Sequence, residues 1–221
     1  MAETPSILTP LQRDFLNAFF ARSAAEAFFL TGGTALSAFH LHHRYSEDVD
    51  LFTLDRDALE AIEREIPTLA HEIGCTWSMK VKATDFRAIL FYRGSESSLK
   101  IDLVRDVGAQ FGEHERFGNI VVDSMFNIAV NKVTAVFGRT AAKDFVDLYF
   151  LLRRGFDLDE LMRLAKEKDL GFSEFYFAGS LDQIRRVRDL PRMIEPVTLE
   201  ELRAFFHPLS EQIMLKLKPR V

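Results

Sequence analysis

Apolar and polar residues alternate with two different periodicities in the first half of the chain. Apolar residues that recur every three or four positions predict helices, which start at Thr9-Pro10, at Ala35 and at Asp55. Short apolar or alternating runs predict strands, just before Thr31 and at residues 46–52, 76–83, 86–92, 99–104 and 119–122. Short turns join the three strands between 76 and 104, which indicates antiparallel pairing and therefore a mixed sheet.

The second half of the chain carries helical periodicity almost throughout. Helices are predicted at residues 125–137, 141–152, 157–168 and 199–216. The segment 105–118, which precedes this half, is rich in glycine and charge and is predicted to be a loop. The sequence thus predicts an α/β (α+β) fold, in which residues 1–122 form a small domain around the mixed β-sheet. Residues 123–221 form a C-terminal helical domain.

Composition narrows the class of protein. The chain has 221 residues, enough to bury a substantial core. Its one cysteine, Cys75, excludes an internal disulfide, in keeping with a reducing compartment. The sequence shows neither an apolar run of membrane-spanning length nor a signal-peptide pattern, so we expect a cytoplasmic protein with no membrane partner. The formal net charge of −5 argues against a generally basic nucleic-acid binder.

The segment Thr31-Gly32-Gly33-Thr34 places two glycines between a predicted strand and a predicted helix. Glycines there let the backbone approach a phosphate, and a helix N-terminus offers N–H groups to an anion. The next predicted strand carries Asp48 and Asp50, whose side chains would point to one face. Two carboxylates beside such a turn suit Mg²⁺ bridged to a triphosphate. The alternative is a glycine turn and an acidic strand end without a function.

Asp102 is a candidate third carboxylate. It interrupts the apolar strand at residues 99–104, and its side chain would lie on the face opposite to the apolar residues. It could join Asp48 and Asp50 in binding a metal. The alternative is that Asp102 is a surface residue beside Lys100.

Two charged residues of the helical half are further candidates. Lys132 has apolar residues at helical spacing around it, so it could contact a phosphate or extend its ammonium group to water. Asp144 shares a helical face with Asp147. The alternative for this segment is an ordinary surface ladder of ion pairs, formed by Arg139, Lys143 and Asp147.

The order of these motifs resembles the DNA polymerase β-like nucleotidyltransferase superfamily, in which a Gly-Gly or Gly-Ser turn precedes an Asp-x-Asp strand. The chain is most similar to the AbiEii/AbiGii toxin family, which includes the MenT-type toxins. The family run Arg-x-Ser-x-Asp-x-Asp-Leu-Phe is matched by Arg44, Ser46, Asp48, Asp50, Leu51 and Phe52. The later family motifs, a helical lysine and an Arg/Lys-Asp-x-x-Asp run, are matched by Lys132, Lys143, Asp144 and Asp147.

This resemblance implies a nucleotidyltransferase core at residues 1–122, with the helical domain at residues 123–221 completing the active site. The residues it implies to be catalytic are Asp48, Asp50, Asp102, Lys132 and Asp144. The first three are the implied ligands of Mg²⁺ or Mn²⁺. The residues implied to lie against the nucleoside triphosphate are Gly32, Gly33, Thr34, Ser46 and Lys132.

The implied reaction is the transfer of a nucleoside monophosphate to an acceptor hydroxyl, and tRNA is the expected acceptor. Family members are toxins of toxin–antitoxin or abortive-infection systems, so a cognate antitoxin protein is an expected partner. Two alternatives stay open: a phosphotransferase on the same scaffold that acts on a protein or small molecule, and a catalytically idle binding protein. The clearest basic cluster, a candidate RNA contact, is Arg185, Arg186, Arg188 and Arg192.

Overall fold

Seven strands of the described chain form one mixed sheet in the order β3-β4-β5-β2-β1-β7-β6. Their bounds are β1 Phe28–Thr31, β2 Val49–Thr53, β3 Thr76–Ala83, β4 Phe86–Arg93, β5 Ser97–Arg105, β6 Glu115–Phe117 and β7 Ile120–Val122. Strand β2 is antiparallel to β1 and parallel to β5, whereas β1 is parallel to β7. The predicted fold class and the antiparallel order β3-β4-β5 are confirmed.

The structure, a computed structural model, describes residues 7–95, 97–106 and 108–217; residues 1–6, 96, 107 and 218–221 lie outside the described residues. The chain forms two units. One unit contains the described residues up to 106 and Gly112–Ser124, and thus the whole sheet. The other contains Gly108–Phe111 and the described residues from Met125 onward.

The two central strands β2 and β5 have one apolar face and one polar face. Buried residues alternate with half-buried residues along β2 and along β5 from Leu99 to Val104, as expected for strands that have one face in the core. The apolar members are Val49, Leu51, Ile101 and Leu103, all fully buried. The opposite face of these strands therefore carries the two acidic residues, Asp50 and Asp102.

Two helices, α1 Pro10–Phe20 and α3 Ala58–Glu72, cover the apolar face of the sheet. The ring of Phe15 packs edge-on against Phe91 of β4 at a centroid distance of 5.1 Å. Helix α3 begins three residues after the predicted Asp55, because the Asp55 carboxylate accepts a hydrogen bond from the Asp57 amide (2.8 Å) and forms a turn there.

Two local predictions about the first unit are corrected. The helix predicted from Ala35 begins earlier, as α2 Gly32–Ala35, and continues as a π-helix at Leu36–Leu41. The predicted loop at 105–118 contains strand β6. This strand has no alternating pattern, since Glu115 and Arg116 are both exposed, and it is defined by antiparallel pairing with β7.

The second unit is built from helices. Their bounds are α4 Met125–Gly138, α5 Ala142–Arg153, α6 Leu158–Lys168, α7 Glu174–Asp182 and α8 Leu199–Lys216. The four predicted helices agree with these bounds to about one residue at each end. Helix α7 passes into a 3₁₀ turn at Gln183–Arg186. Within the described ranges, none of the helices combines the length and apolar character needed to cross a membrane.

Candidate active site

The glycine turn brings the backbone against the Asp50 carboxylate. Strand β1 ends at Thr31 and α2 begins at Gly32, whose φ is +68°. Glycine adopts this conformation without steric cost, whereas residues with a Cβ atom rarely do. A Cβ atom at Gly32 would also overlap Oδ2 of Asp50. Both the backbone conformation and the position of Asp50 therefore require a glycine here.

Gly32→Ala is expected to lower the free energy of unfolding by more than Gly74→Ala does. Gly74 has a similar φ of +65° but no atom within 4 Å of its Cβ position, so its substitution costs only the backbone strain, about 1–2 kcal/mol. Gly32→Ala adds the overlap with Asp50, a further loss of about 1–3 kcal/mol. Urea unfolding of both variants measures the difference. Equal losses would show that the Asp50 carboxylate does not lie against Gly32.

Arg44 is a buried cation beside the second glycine. Its side chain is only 2 % exposed. A Cβ atom at Gly33 would lie 2.7 Å from Nη2 of Arg44 and 3.0 Å from Oγ of Ser46. The predicted phosphate-binding residues Gly33 and Ser46 are thus neighbours, and the guanidinium adds a positive charge that favours a phosphate there. Arg44 was predicted only as part of the family motif.

The segment that leads into β2 is held by two buried side chains. Asp48 lies just before β2 rather than on it, which corrects the predicted strand at residues 46–52. The Thr34 hydroxyl donates to the Asp48 carbonyl. Gln12, which was not predicted, donates its amide to the carbonyls of Ser46 and Glu47, at 2.8 and 3.3 Å. Thr34 therefore positions the Asp48 backbone.

Asp50 and Asp102 lie directly opposite one another on the parallel strands β2 and β5. Neighbouring strands are about 4.8 Å apart, and side chains at paired positions project to the same face. On the other side, Thr31 is the partner of Asp50. Its hydroxyl donates to Oδ2 of Asp123 at 2.6 Å. Asp123, which directly follows β7 and is 1 % exposed, is a buried carboxylate that was not predicted.

Lys100 provides positive charge beside these carboxylates. Its Nζ lies 2.5 Å from Oδ2 of Asp102, two residues further along the same strand. Burial lowers the pKa of Lys100, but the hydrogen bond to Asp102 and the charges of Asp102, Asp48 and Asp50 outweigh it, so the pKa is raised above its usual value. Asp102 thus pairs with Lys100 and also lies beside Asp50. We refer to Asp48, Asp50 and Asp102 as the carboxylate cluster.

The carboxylate cluster fits a divalent cation that prefers oxygen ligands. Oδ1 of Asp102 is buried and has no hydrogen-bond partner in the described part of the chain. Such an oxygen is costly to bury unless a donor or cation satisfies it. Among the described residues, no group of three or more His, Cys, Asp or Glu side chains is placed so that it could hold a metal ion by itself. Mg²⁺ usually keeps several waters and binds one or two carboxylates plus phosphates, so a complete protein ligand set is not required.

In the helical unit, Lys132 bridges two buried carboxylates. Its Nζ lies 2.9 Å from Oδ1 of Asp144 and 2.8 Å from Oδ2 of Asp147. The Lys132 side chain is 7 % exposed, and both carboxylates are fully buried. The alternative in which Lys132 extends its ammonium group to water is therefore wrong. Asp147 takes part in the pairing because Asp144 and Asp147 are three residues apart on α5 and share a face.

Arg139 adds a second cation to Asp144. Its Nε lies 2.7 Å from Oδ2 of that carboxylate. Burial raises the pKa of Asp144, but the positive charges and hydrogen bonds of Lys132 and Arg139 outweigh it and hold the pKa below its usual value. The alternative of a surface ladder through Arg139, Lys143 and Asp147 is wrong, since Asp147 is buried and pairs with Lys132. The role of Lys132 and Asp144 as site residues stays a prediction.

Comparison with known proteins identifies the family. Residues 14–218 match the family described as the nucleotidyl transferase AbiEii toxin of type IV toxin–antitoxin systems. The chain belongs to this AbiEii family. An uncharacterised relative from Aquifex aeolicus (strain VF5) is 30 % identical over 199 residues, which cover 88 % of this chain and 92 % of the relative. Membership confirms the resemblance inferred from the motifs and implies a nucleotide substrate and an antitoxin partner.

Two solved structures share the fold of this AbiEii chain. MenT4, a nucleotidyltransferase toxin from Mycobacterium tuberculosis H37Rv, matches with a TM-score of 0.62 at 14 % identity, over 94 % of this chain and 83 % of that chain. JHP933 from Helicobacter pylori matches with a TM-score of 0.58 at 22 % identity, over 94 % and 90 % of the two chains.

Proposed function

We propose that this AbiEii-family protein transfers a nucleoside monophosphate from a nucleoside triphosphate to a hydroxyl group of RNA, with tRNA as the expected acceptor. One observation carries the proposal. Asp50 and Asp102 lie opposite one another beside the glycine turn, and the buried Oδ1 of Asp102 has no partner among the described residues. This is the donor arrangement that a metal-bound triphosphate needs.

In the first unit, one set of residues would bind the triphosphate and another would bind the metal ion. The backbone at Gly32 and Gly33, together with the Arg44 guanidinium and the Ser46 hydroxyl, would bind and orient the triphosphate. The carboxylate cluster would hold Mg²⁺ or Mn²⁺. When bound, such an ion stabilises negative charge on the attacking and leaving oxygens of an in-line displacement. The acceptor hydroxyl would attack the α-phosphate, and pyrophosphate would leave.

Labelled nucleotides test the reaction type. The protein is incubated with Mg²⁺, total RNA and each nucleoside triphosphate, labelled in turn at the α- and at the γ-phosphate. Nucleotidyl transfer moves only the α-label onto RNA. In a parallel incubation with a heat-treated cell extract in place of RNA, transfer of the γ-label to a protein or a small molecule would instead establish the phosphotransferase alternative, and the absence of transfer in both incubations would favour the idle binding protein.

An RNA acceptor is supported by the exposed arginine cluster of the helical unit. Arg185, Arg186, Arg188 and Arg192 are all exposed. Nη1 of Arg185 lies 3.0 Å from Oδ2 of Asp182, so part of the positive charge of the cluster is compensated locally. The overall net charge of −5 also opposes RNA. We therefore expect RNA binding in the cytoplasm to be modest and sensitive to salt. Control by a cognate antitoxin, as part of a toxin–antitoxin or abortive-infection system, belongs to the same proposal.

Replacing the four arginines of this cluster by alanine is expected to weaken RNA binding and flatten its salt dependence. Each phosphate contact contributes about 0.7 to the slope of log affinity against log salt for single strands, so the slope falls by up to about 3. The matched control removes four exposed arginines elsewhere, Arg56, Arg64, Arg154 and Arg163. Identical salt curves for the two quadruple variants would exclude the cluster as the RNA contact.

A further inference from the structure

Lys100 lies beside the carboxylate cluster, where a positive charge would reduce the repulsion between the carboxylates. Asp50 lies opposite Asp102 on the neighbouring strand, and Asp48 is two residues before Asp50. Like charges on paired strand positions repel one another. The Lys100 ammonium is 2.5 Å from Oδ2 of Asp102 and interacts electrostatically with Asp48 and Asp50 as well. Lys100 and Asp102 are two residues apart on β5, so both side chains project to the same face of the sheet.

The ion pair between Lys100 and Asp102 is accessible enough to separate. The Lys100 side chain is 43 % exposed and that of Asp102 is 15 % exposed. A lysine ammonium sits on a flexible four-carbon stem and makes no rigid fork of hydrogen bonds. The contrast is Lys132, whose side chain is 7 % exposed and whose two partners are fully buried. Lys132 is fixed by its surroundings, whereas Lys100 is free to change partners without opening the core.

We propose that Lys100 is a counter-ion, which compensates one of the three negative charges of the carboxylate cluster in the metal-free protein and moves to the nucleotide phosphates when the metal–nucleotide complex binds. This inference rests on the proposed function, because it assigns the carboxylate cluster to a metal. Lys100 thereby becomes a residue that positions the triphosphate, and it couples metal binding to nucleotide binding.

The exchange would change two affinities in opposite directions: the affinity for the metal ion alone and the affinity for the metal–nucleotide complex. Before nucleotide arrives, the Lys100 ammonium and a divalent cation compete for Asp102, so Lys100 weakens the binding of the free metal ion. After the exchange, the same ammonium adds a favourable contact to the triphosphate. Removing the lysine should therefore tighten the binding of metal alone and loosen the binding of metal–nucleotide. A lysine with a merely structural role would change neither quantity in this opposed way.

The test uses Mn²⁺ alone as its first probe, with the full-length protein and no turnover. Electron paramagnetic resonance of free Mn²⁺ gives the affinity of the wild type and of Lys100→Met. Removing one positive charge a few ångströms from a doubly charged ion should tighten binding about tenfold. The matched control is Lys82→Met, because Lys82 forms an ion pair of the same length, 2.5 Å, with Glu63 in the same unit. It should leave the Mn²⁺ affinity unchanged.

The second probe is an α,β-methylene analogue of each nucleoside triphosphate, titrated in the presence of Mg²⁺. Lys100→Met should bind the preferred analogue several-fold more weakly than wild type. Lys100→Arg keeps the positive charge, and should bind Mn²⁺ no more tightly than wild type; this variant keeps the test decisive if Lys100→Met folds poorly. Asp102→Asn should lose Mn²⁺ affinity, which shows that the intended site is being measured.

The measurements distinguish failure of the role of Lys100 from failure of the metal site itself. Equal Mn²⁺ affinity in wild type and Lys100→Met, together with a loss in Asp102→Asn, would overturn the role of Lys100 and leave the metal site of the proposed function standing. Tighter Mn²⁺ binding by Lys100→Arg would also overturn it, since that variant retains the competing charge. If neither wild type nor any variant binds Mn²⁺ at millimolar concentrations, the metal site and the inference fail together.

Discussion

Asp50→Asn abolishes transfer of a labelled nucleoside monophosphate to RNA and leaves the fold intact, if the carboxylate cluster is the catalytic centre. Asp50 lies opposite Asp102 and against Gly32, on the face of β2 that does not enter the core. An asparagine has the same shape but does not supply the negative charge that a divalent cation requires. The rate should fall by at least about a hundredfold, as when one preorganised electrostatic contact to the reacting phosphate is lost.

The same result is expected for Asp48→Asn. Both substitutions remove a negative charge from a crowded cluster, so the melting temperature of the metal-free protein should stay the same or rise. Glu26→Gln, at an exposed position in the first unit and away from the arginine cluster, is the control for the loss of one carboxylate from the chain. Thermal unfolding and α-label incorporation are measured on the same preparations. Near-wild-type turnover in either cluster variant would refute the metal assignment.

Lys132→Ala is expected to lower the free energy of unfolding by about 3–5 kcal/mol, the usual cost of breaking a buried ion pair by removing one partner. The side chain holds the buried carboxylates of Asp144 and Asp147, at 2.9 and 2.8 Å. The Arg139 guanidinium still compensates Asp144 in this variant, whereas the 2.8 Å contact from Lys132 to Asp147 is lost. Urea unfolding at neutral pH measures the loss.

Two further variants separate stability from activity at Lys132. Arg139→Ala removes a cation whose side chain is 59 % exposed, and should cost less than about 1 kcal/mol. The triple variant Lys132→Met, Asp144→Asn, Asp147→Asn removes all three charges, and should recover much of the lost stability. Wild-type stability in Lys132→Ala would contradict the buried pairing. A folded triple variant with full transfer activity would remove Lys132 and Asp144 from the predicted site residues.

The sequence predicted the elements best where a local pattern determines them. Strand β3 has the predicted bounds, and α8 begins after Thr198 as predicted, because the Thr198 hydroxyl and the Glu201 carboxylate cap its first turn. Strand β6 was missed because its pairing with β7 defines it, rather than any alternation of its own side chains. The π-helix after α2 likewise has no local signature.

The sequence predicted those candidate site residues that belong to recognisable motifs. The opposed positions of Asp50 and Asp102 follow from strand pairing, and their pattern of one polar residue between two apolar ones was visible in the sequence. Contacts between distant segments were not visible. Gln12 holds a carbonyl 34 residues away, and Thr31 contacts Asp123 across 92 residues. Such partners depend on how strands and helices pack, which periodicity does not specify.

The ratio of pyrophosphate released to nucleotide incorporated is the most direct test of the claim that the carboxylate cluster supports nucleotidyl transfer. Wild type and Asp50→Asn are incubated with Mg²⁺, RNA and the nucleoside triphosphate that labels it, and pyrophosphate and incorporated nucleotide are measured together. The wild type should release one pyrophosphate for each nucleoside monophosphate added to RNA, and Asp50→Asn should release none. Formation of nucleoside diphosphate without pyrophosphate, or equal pyrophosphate release by both proteins, would contradict the claim.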